Sequence, residues 1–236
     1  MIRSLRIAHT SDVHLHDGPD GAPVREAFAR VVNVVQNNQA DLFLIAGDLF
    51  DHNRVAGPVI DFVVAQLARV ACPTVIIAGN HDVWDDRSVL RRTDFAQAGG
   101  HITLLNQPDG MQVSFPDLHA TVWGRCMLDH DPANRPMAGA PARVGDLWHI
   151  GMAHGMYSDD PSMERSSLIT AGEIERSGFD YLALGHIHAH RQMRHGGTLA
   201  CYPGVPLASE GTATNGCLAI VDLAPGAPAR AAALTL

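Results

Sequence analysis

The chain has 236 residues, of which 46% are apolar and 18% charged, values typical of a folded globular protein. Its formal net charge of −8 argues against a protein that coats nucleic acid by non-specific attraction, which depends on clustered Lys and Arg. No stretch approaches the roughly 20 apolar residues of a membrane span, and the N-terminal apolar run is too short for a signal peptide. We therefore expect one cytoplasmic domain over residues 1–236, with its four cysteines as free thiols.

The first third of the chain alternates predicted strands and helices. Residues 5–10 read as a strand, and residues 24–36 place apolar side chains at helical spacing. A buried strand is predicted within 41–48, a helix over 57–70 and another strand within 74–82. Polar residues follow each strand, and ligands of open α/β sheets bind at that edge.

The pattern changes after residue 100 to a series of short strands. They are predicted in "ITLLN", "MQVSF", "HATVWGR", "WHIGMAH", "YLALGH", "TLACYP", "CLAIVDL" and "AAALTL". One helix is predicted near 171–177. Residues 129–145 are rich in Pro, Gly and Ala without periodicity, which predicts a long loop.

Five polar clusters stand at the ends of predicted strands: "SDVH" (11–14), "GDLFD" (47–51), "GNHD" (79–82), "AHG" (153–155) and "GHIH" (185–188). If the first cluster is extended, Asp12 and His14 point to the same side and can converge on one cation. The same spacing puts His186 and His188 on one side of the last cluster. Seven nitrogen and oxygen donors exceed the needs of one tetrahedral zinc and suit two neighbouring transition-metal ions.

Glycine occurs in or beside four of these clusters. Gly47, Gly79 and Gly185 let the backbone turn tightly and bring the following side chains towards one point.

The order D-x-H, G-D-x-x-D, G-N-H-D, H, G-H-x-H resembles the calcineurin-like metallophosphoesterase superfamily between Asp12 and His188. Within that superfamily, the sequence around the motifs is most similar to DNA repair exonucleases of the SbcD type. The similar segments are "HTSDVHL", "AGDLFDHNR", "AGNHD", "LGHIHAHR" and "CYPGVP". The resemblance implies an α/β fold, a four-layer α/β/β/α sandwich. Two departures are Val205 in place of Ser and an end at Leu236, which predicts no separate capping domain.

The resemblance also implies a dinuclear metal centre. One ion would be held by Asp12, His14 and His188, and the second by Asn80, His154 and His186, with Asp48 bridging both. Manganese is the favoured metal, with iron or zinc as alternatives. Two such cations neutralise phosphate locally and activate a water for attack on phosphorus.

Four further residues are given roles by their matching positions. His81 would stand near the leaving group as proton donor or charge stabiliser, and Asp51 would orient it. Asn80 would contact substrate as well as metal. His52 replaces the Arg of related phosphoprotein phosphatases and is a poorer bidentate anchor, which favours diesters.

The predicted function is therefore metal-dependent phosphoester hydrolysis, favouring phosphodiesters of DNA or nucleotides in an exonuclease-like reaction. A small-molecule or cyclic-nucleotide phosphodiesterase or phosphatase is the alternative. A scaffold without catalysis is least favoured because every motif position is filled. The sequence leaves open a partner ATPase or a homodimer.

Some nearby residues have two interpretations. His190, Arg191 and Arg194 form either a solvated strand face or a rim contact for a nucleotide phosphate. Trp84 either stacks on a base or packs against the protein. His9 is expected to face away from Asp12 and His14 as a hydrogen-bonded core residue.

Overall fold

Two six-stranded sheets form the centre of the computed structural model, which describes residues 2–129, 131, 133–160, 163, 167–208 and 216–236. Sheet 1 contains β1 (Leu5–Thr10), β2 (Leu42–Ala46), β3 (Thr74–Ile77), β4 (Ile102–Leu104), β13 (Cys217–Leu223) and β14 (Arg230–Thr235), in the order β14-β13-β1-β2-β3-β4. Sheet 2 contains β5 (Met111–Phe115), β6 (Ala120–Gly124), β7 (Trp148–His154), β10 (Tyr181–Gly185), β11 (Arg191–His195) and β12 (Thr198–Tyr202), in the order β11-β12-β10-β7-β6-β5. Two short strands, β8 (Met156–Tyr157) and β9 (Leu168–Ile169), pair separately.

Within the described residues, four α-helices accompany the sheets: α1 (Gly21–Asn37), α2 (Gly57–Leu67), α3 (Val89–Arg92) and α4 (Ala171–Ser177). None of the helices in the described ranges is long and apolar enough to cross a membrane.

Sheet 1 is buried on both faces because its side chains alternate between two cores. In β2, Leu42, Leu44 and Ala46 pack towards sheet 2, whereas Phe43 and Ile45 pack towards α1 and α2. All five residues are buried. A strand covered on both faces gives a continuous apolar run rather than an alternating one, which is the pattern of this segment.

Sheet 2 buries its outer face against α4. Leu182 and Leu184 of β10 pack with Ile174 of α4. The helix begins at a capping box, in which Thr170 and Glu173 each bond the other's backbone N–H. The layers therefore run from α1 and α2 through sheet 1 and sheet 2 to α4, which confirms the four-layer sandwich.

The expected elements are present with small shifts of their ends. β1, β7 and β13 have the predicted bounds, and residues 57–70 form a shorter helix that ends at Leu67. The described part of 129–145, which leaves out 130 and 132, contains no helix or strand. The short helix α3 was not among the predicted elements, and a strand at β11 was expected only as one interpretation of its basic residues, since neither segment has a regular apolar period.

The parallel strands set the direction of the loops. β1 pairs with β2 and β2 with β3 in parallel, and β10 pairs with β7 in parallel in the other sheet. Their carboxyl ends therefore lie at one end of the sandwich. All four cysteines are free, as expected.

A buried polar contact joins the two sheets. His9 of β1 is fully buried, and its Nδ1 lies 2.7 Å from the hydroxyl of Tyr181 in β10. This confirms His9 as a hydrogen-bonded core residue. Burial, with a smaller contribution from the neighbouring His190, lowers the pKa of His9 to about 3.

This burial predicts an acid-sensitive fold. The unfolded chain binds a proton at His9 below its ordinary pKa of 6.5, whereas the folded protein resists protonation until about pH 3. Stability is therefore lost as pH falls below 6.5, by about 2 kcal/mol from this residue between pH 6.5 and pH 5. Urea unfolding at pH 7.5 and pH 5 should show this extra loss in the natural protein relative to His9→Asn, and equal losses would contradict it.

Candidate metal centre

Side chains from five strand ends meet at one end of the sandwich. The clusters after β1, β2, β3 and β10 lie in the loops that leave those strands, and His154 is the last residue of β7. The loops touch one another through their backbones: the N–H of Asp12 donates to the carbonyl of Gly47 at 3.1 Å, and the N–H of Gly155 donates to that of Gly185 at 3.1 Å. The fold thus brings distant parts of the chain into one site.

One group of candidate ligands contains Asp12, His14 and His188. One ligand atom from each lies within 4.8 Å of the other two. Asp12 is buried, and Oδ1 of its carboxylate is 3.8 Å from Nε2 of His188. His14 Nε2 is buried and has no hydrogen-bond partner among the described residues. An unpartnered buried imidazole nitrogen beside carboxylates fits a metal ligand.

The reason why these side chains converge differs from the expected one. Asp12, His14 and His186 have positive φ angles of 52°, 55° and 101°, so neither segment is extended. Alternation along a strand is therefore the wrong explanation, although the predicted pairs do meet. Left-handed backbone is costly for residues other than glycine and persists only where the surrounding structure imposes it. Both carboxylate oxygens of Asp12 accept the backbone N–H of His186 at 3.0 Å, which holds the segment after β10 in place.

Asp48 lies between two groups of ligands. Its Oδ2 is 3.3 Å from Nε2 of His154 and 3.9 Å from Nε2 of His14, and its Oδ1 accepts the backbone N–H of His81 at 2.8 Å. The residue is 1% exposed and has a φ of 52°. A second group with ligand atoms within 4.8 Å of one another contains Asp12, Asp48 and His154. The position of Asp48 is therefore suited to a carboxylate shared by two ions.

Asn80 joins the remaining two histidines. Its Oδ1 lies 2.9 Å from Nε2 of His154 and 2.9 Å from Nδ1 of His186. The other ring nitrogen of His154 lies 2.9 Å from the carbonyl of Ala46, which accepts its proton. A second partner of this kind fixes the ring and leaves Nε2 to face a cation.

The charges of the histidines are unequal. Burial lowers the pKa of His14 and of His186, so both are neutral and able to bind metal. Burial also opposes the charge on His154, but the carboxylate of Asp48 outweighs it and raises the pKa of His154 to about 10. A cation at Nε2 of His154 would take the place of that proton.

Glycine is required where these groups approach the backbone. A Cβ atom on Gly47, which has a φ of 90°, would lie 2.3 Å from Nδ1 of His154. A Cβ atom on Gly79 would lie 2.2 Å from Oδ1 of Asp48. Both distances are too short for a side chain, so these glycines admit close contact as expected.

Asp51 contacts two histidines. Its backbone carbonyl is 2.8 Å from Nδ1 of His81, and its Oδ1 is 3.4 Å from the same atom. The side chain of His81 is exposed and lies beside the seven candidate ligands, which we call the donor set: Asp12, His14, Asp48, Asn80, His154, His186 and His188. The carboxylate is closer to Nδ1 of His14, at 3.1 Å. Asp51 therefore holds a candidate ligand as well as His81. His52 lies outside these contacts and accepts the backbone N–H of Arg54 through Nδ1 at 3.2 Å.

Asp82 supports the site, and sequence reasoning missed it. Its buried carboxylate accepts the backbone N–H groups of Asp48, Leu49, Phe50 and Gly79 at 3.3, 2.9, 3.2 and 2.7 Å. It ties the "GDLFD" loop to the "GNHD" loop. Its place at the end of a polar motif is the only sequence signal, and that signal does not distinguish a ligand from a support.

Trp84 packs against the protein. It borders the core beneath α1 and α2, and the guanidinium of Arg91 lies 4.1 Å from its ring centre. These contacts favour the packing interpretation over base stacking.

Buried nitrogen and oxygen donors gathered at the strand ends of a two-sheet sandwich are features of a metal-dependent hydrolase. The chain belongs to the calcineurin-like phosphoesterase family, whose model matches residues 5–190. Membership places it in a family of metal-dependent phosphoester hydrolases.

The chain is only distantly similar to individual relatives. It spans about half to two thirds of the length of four curated relatives that it matches. It is 28% identical over 254 residues to the DNA double-strand break repair protein Mre11 of Aeropyrum pernix, covering 94% of this chain and 59% of that protein. It is 26% identical over 267 residues to a subunit of the nuclease SbcCD of Bacillus subtilis, covering 94% of this chain and 67% of that protein. The crystal structure of TT1561 of Thermus thermophilus shares the fold with a TM-score of 0.61 at 13% identity, over 97% of this chain and 98% of that one.

The contacts of Asp82 predict that its substitution weakens metal binding. In Asp82→Asn one amide oxygen cannot accept four N–H groups, and the amide NH₂ faces donors. We expect metal affinity to fall about 10- to 100-fold, with a loss of about 1–3 kcal/mol in unfolding free energy. Metal titration and urea unfolding measure both quantities. The matched control is Asp85→Asn, which changes an exposed carboxylate nearby; equal metal affinity in the two variants would contradict the assignment.

Proposed function

We propose that the protein is a metal-dependent phosphodiesterase acting on nucleic acid or nucleotides. The observation that supports this best is the convergence of the two ligand groups around Asp48. Family membership supports the phosphoester class. The choice of diesters rests on His52, because an imidazole cannot grip a terminal phosphate through two parallel hydrogen bonds as an arginine can.

The proposed ligands divide into two sets. Asp12, His14 and His188 would hold one ion, Asn80, His154 and His186 would hold the other, and Asp48 would serve both. Manganese is preferred, with iron or zinc as alternatives. Two divalent ions supply Lewis acidity, which neutralises phosphate charge and lowers the pKa of water.

The remaining proposed roles belong to groups beside the donor set. The carbonyl of Asp51 accepts the Nδ1 proton of His81 and directs Nε2 away from the protein. From there His81 can donate a proton to the departing oxygen or stabilise its charge. Asp51 also orients His14 through its carboxylate, and Asn80 contacts both histidines and substrate.

The alternative is hydrolysis of a small or cyclic nucleotide. A net charge of −8 supports it, because long polyanions are repelled by an acidic surface except where cations are fixed. Assays with manganese on linear DNA, cyclic nucleotides and model mono- and diesters separate the two. Exclusive cleavage of monoesters would reject the proposed preference for diesters.

The shared position of Asp48 predicts a severe effect of its loss. Asp48→Asn removes the charge that faces both imidazoles, so turnover of bis(p-nitrophenyl) phosphate should disappear and bound metal should fall. Elemental analysis and initial rates measure the two effects. Asp61→Asn, on an exposed face of α2, is the matched control. Full activity of Asp48→Asn would reject the mechanism.

The proposed role of His81 predicts a dependence on the leaving group. His81→Gln should slow cleavage by about 10²–10⁴-fold for a nucleoside leaving group, which needs a proton. The loss should be much smaller for p-nitrophenolate, which leaves as a stable anion. Rates on paired substrates measure this, with His16→Gln outside the donor set as control. Equal losses on both substrates would exclude proton donation.

A further inference from the structure

A second polar feature is formed by residues that follow the candidate ligands His154 and His188 in the chain. Tyr157 of β8 stacks on the ring of His195, with centroids 5.5 Å apart and planes at 24°. The guanidinium carbon of Arg191 lies 5.3 Å from the centre of the same tyrosine ring. We call these three residues the Arg191 platform.

The edge strand β11 sorts its basic residues onto two faces. Arg191 and His195 share the face that meets Tyr157. Gln192 and Arg194 share the opposite face, where they donate to the carbonyls of Ala231 and Ala229 at 2.9 and 2.7 Å. The basic patch of the sequence is therefore divided: Arg194 ties the two sheet edges together, and Arg191 remains on the platform.

The platform is fixed to the loops of the candidate centre through Tyr202. The hydroxyl of Tyr202 donates to the carbonyl of Gly155 at 2.8 Å and accepts the N–H of Tyr157 at 2.8 Å. Gly155 directly follows the candidate ligand His154. Arg191 itself stands three residues after the candidate ligand His188 and pairs with Tyr202 in the sheet. Arg191 therefore lies at the end of sheet 2 from which the candidate ligands His154 and His188 emerge.

The charge of Arg191 is available to a ligand. In the part of the chain that the structure describes, its guanidinium makes neither a hydrogen bond nor an ion pair. The nearby carboxylate of Asp159 accepts the hydroxyl of Tyr157 at 2.7 Å and the N–H of Ala171 at 2.8 Å. Burial raises the pKa of Tyr202, Arg191 lowers it and Asp12 raises it, so this tyrosine lies within electrostatic reach of both.

We propose that the Arg191 platform binds a second phosphate group of the substrate, next to the phosphate at the metal centre. The inference rests on the proposed phosphodiesterase function and assigns it a substrate class: a nucleotide chain with at least two phosphates. The guanidinium offers paired N–H donors that match phosphate oxygens. Contact with the tyrosine ring limits its motion, so less side-chain entropy is lost on binding.

The test compares substrates with one and with several phosphates. Arg191→Gln should lower kcat/KM for a thymidine tetranucleotide, relative to bis(p-nitrophenyl) phosphate, by about tenfold or more, mainly through KM. The substrate ratio of Arg191→Lys should lie between that of the natural protein and that of Arg191→Gln, since lysine keeps the positive charge but loses the paired N–H donors of the guanidinium. In Arg191→Gln, the slope of log binding constant against log salt concentration for the tetranucleotide should decrease by the amount of about one phosphate contact. Anisotropy of a fluorescent label on the tetranucleotide measures this binding.

The matched control is Arg194→Gln, which removes the same charge from the opposite face of β11. An equal effect of Arg194→Gln, or an unchanged substrate ratio in Arg191→Gln, would overturn the inference while leaving diester hydrolysis intact. Arg191-dependent binding of the tetranucleotide without cleavage of any diester would support the platform and reject the proposed function. If the natural protein neither binds the tetranucleotide nor cleaves any diester, both the platform and the proposed function are rejected.

Discussion

The buried carboxylate of Asp48 is the constraint on which the rest of the site depends. An anion removed from water is costly unless hydrogen bonds and positive charge surround it. Here the backbone N–H of His81 supplies a hydrogen bond, and His154 supplies charge, since its pKa is raised to about 10. His14 faces the same carboxylate with an unpartnered nitrogen. The arrangement is therefore built to hold more positive charge than the protein provides.

This carboxylate is held in place by backbone that few residues adopt. Asp12, His14, Asp48 and His186 all have positive φ, and all four belong to the donor set. The compensation lies below them in the buried parallel strands and beside them in Asp82, whose hydrogen bonds reach both motif loops. Rigid strands thus stabilise strained turns, which is how a fold can fix side chains that a flexible loop would leave apart.

The sequence predicts many of the strands and their ends well because these depend on local apolar patterns, whereas the four layers were expected from the family resemblance. It also predicts which motifs meet, through the rule that parallel strands end at one edge. It does not predict how they meet: the sign of φ at Asp12 is imposed by contacts with residues far along the chain, such as His186. The support by Asp82 and the attachment of Asp51 to His14 depend on the same kind of distant contact. No apolar pattern indicates β11, because an edge strand needs no apolar face.

The distribution of positive charge separates chemistry from recognition. The donor set contains histidines, carboxylates and an amide but no Arg or Lys, so a phosphate at its centre depends on bound cations. Cations at this place would contact the phosphate and not the rest of the substrate, so they contribute little to distinguishing a nucleotide chain from a simple diester. Under the proposed function, discrimination would come from fixed groups such as a guanidinium held against an aromatic ring, which keeps its position at little entropic cost. In an acidic protein, one such group influences substrate choice more than it would on a basic surface, where many cations compete for the same phosphates.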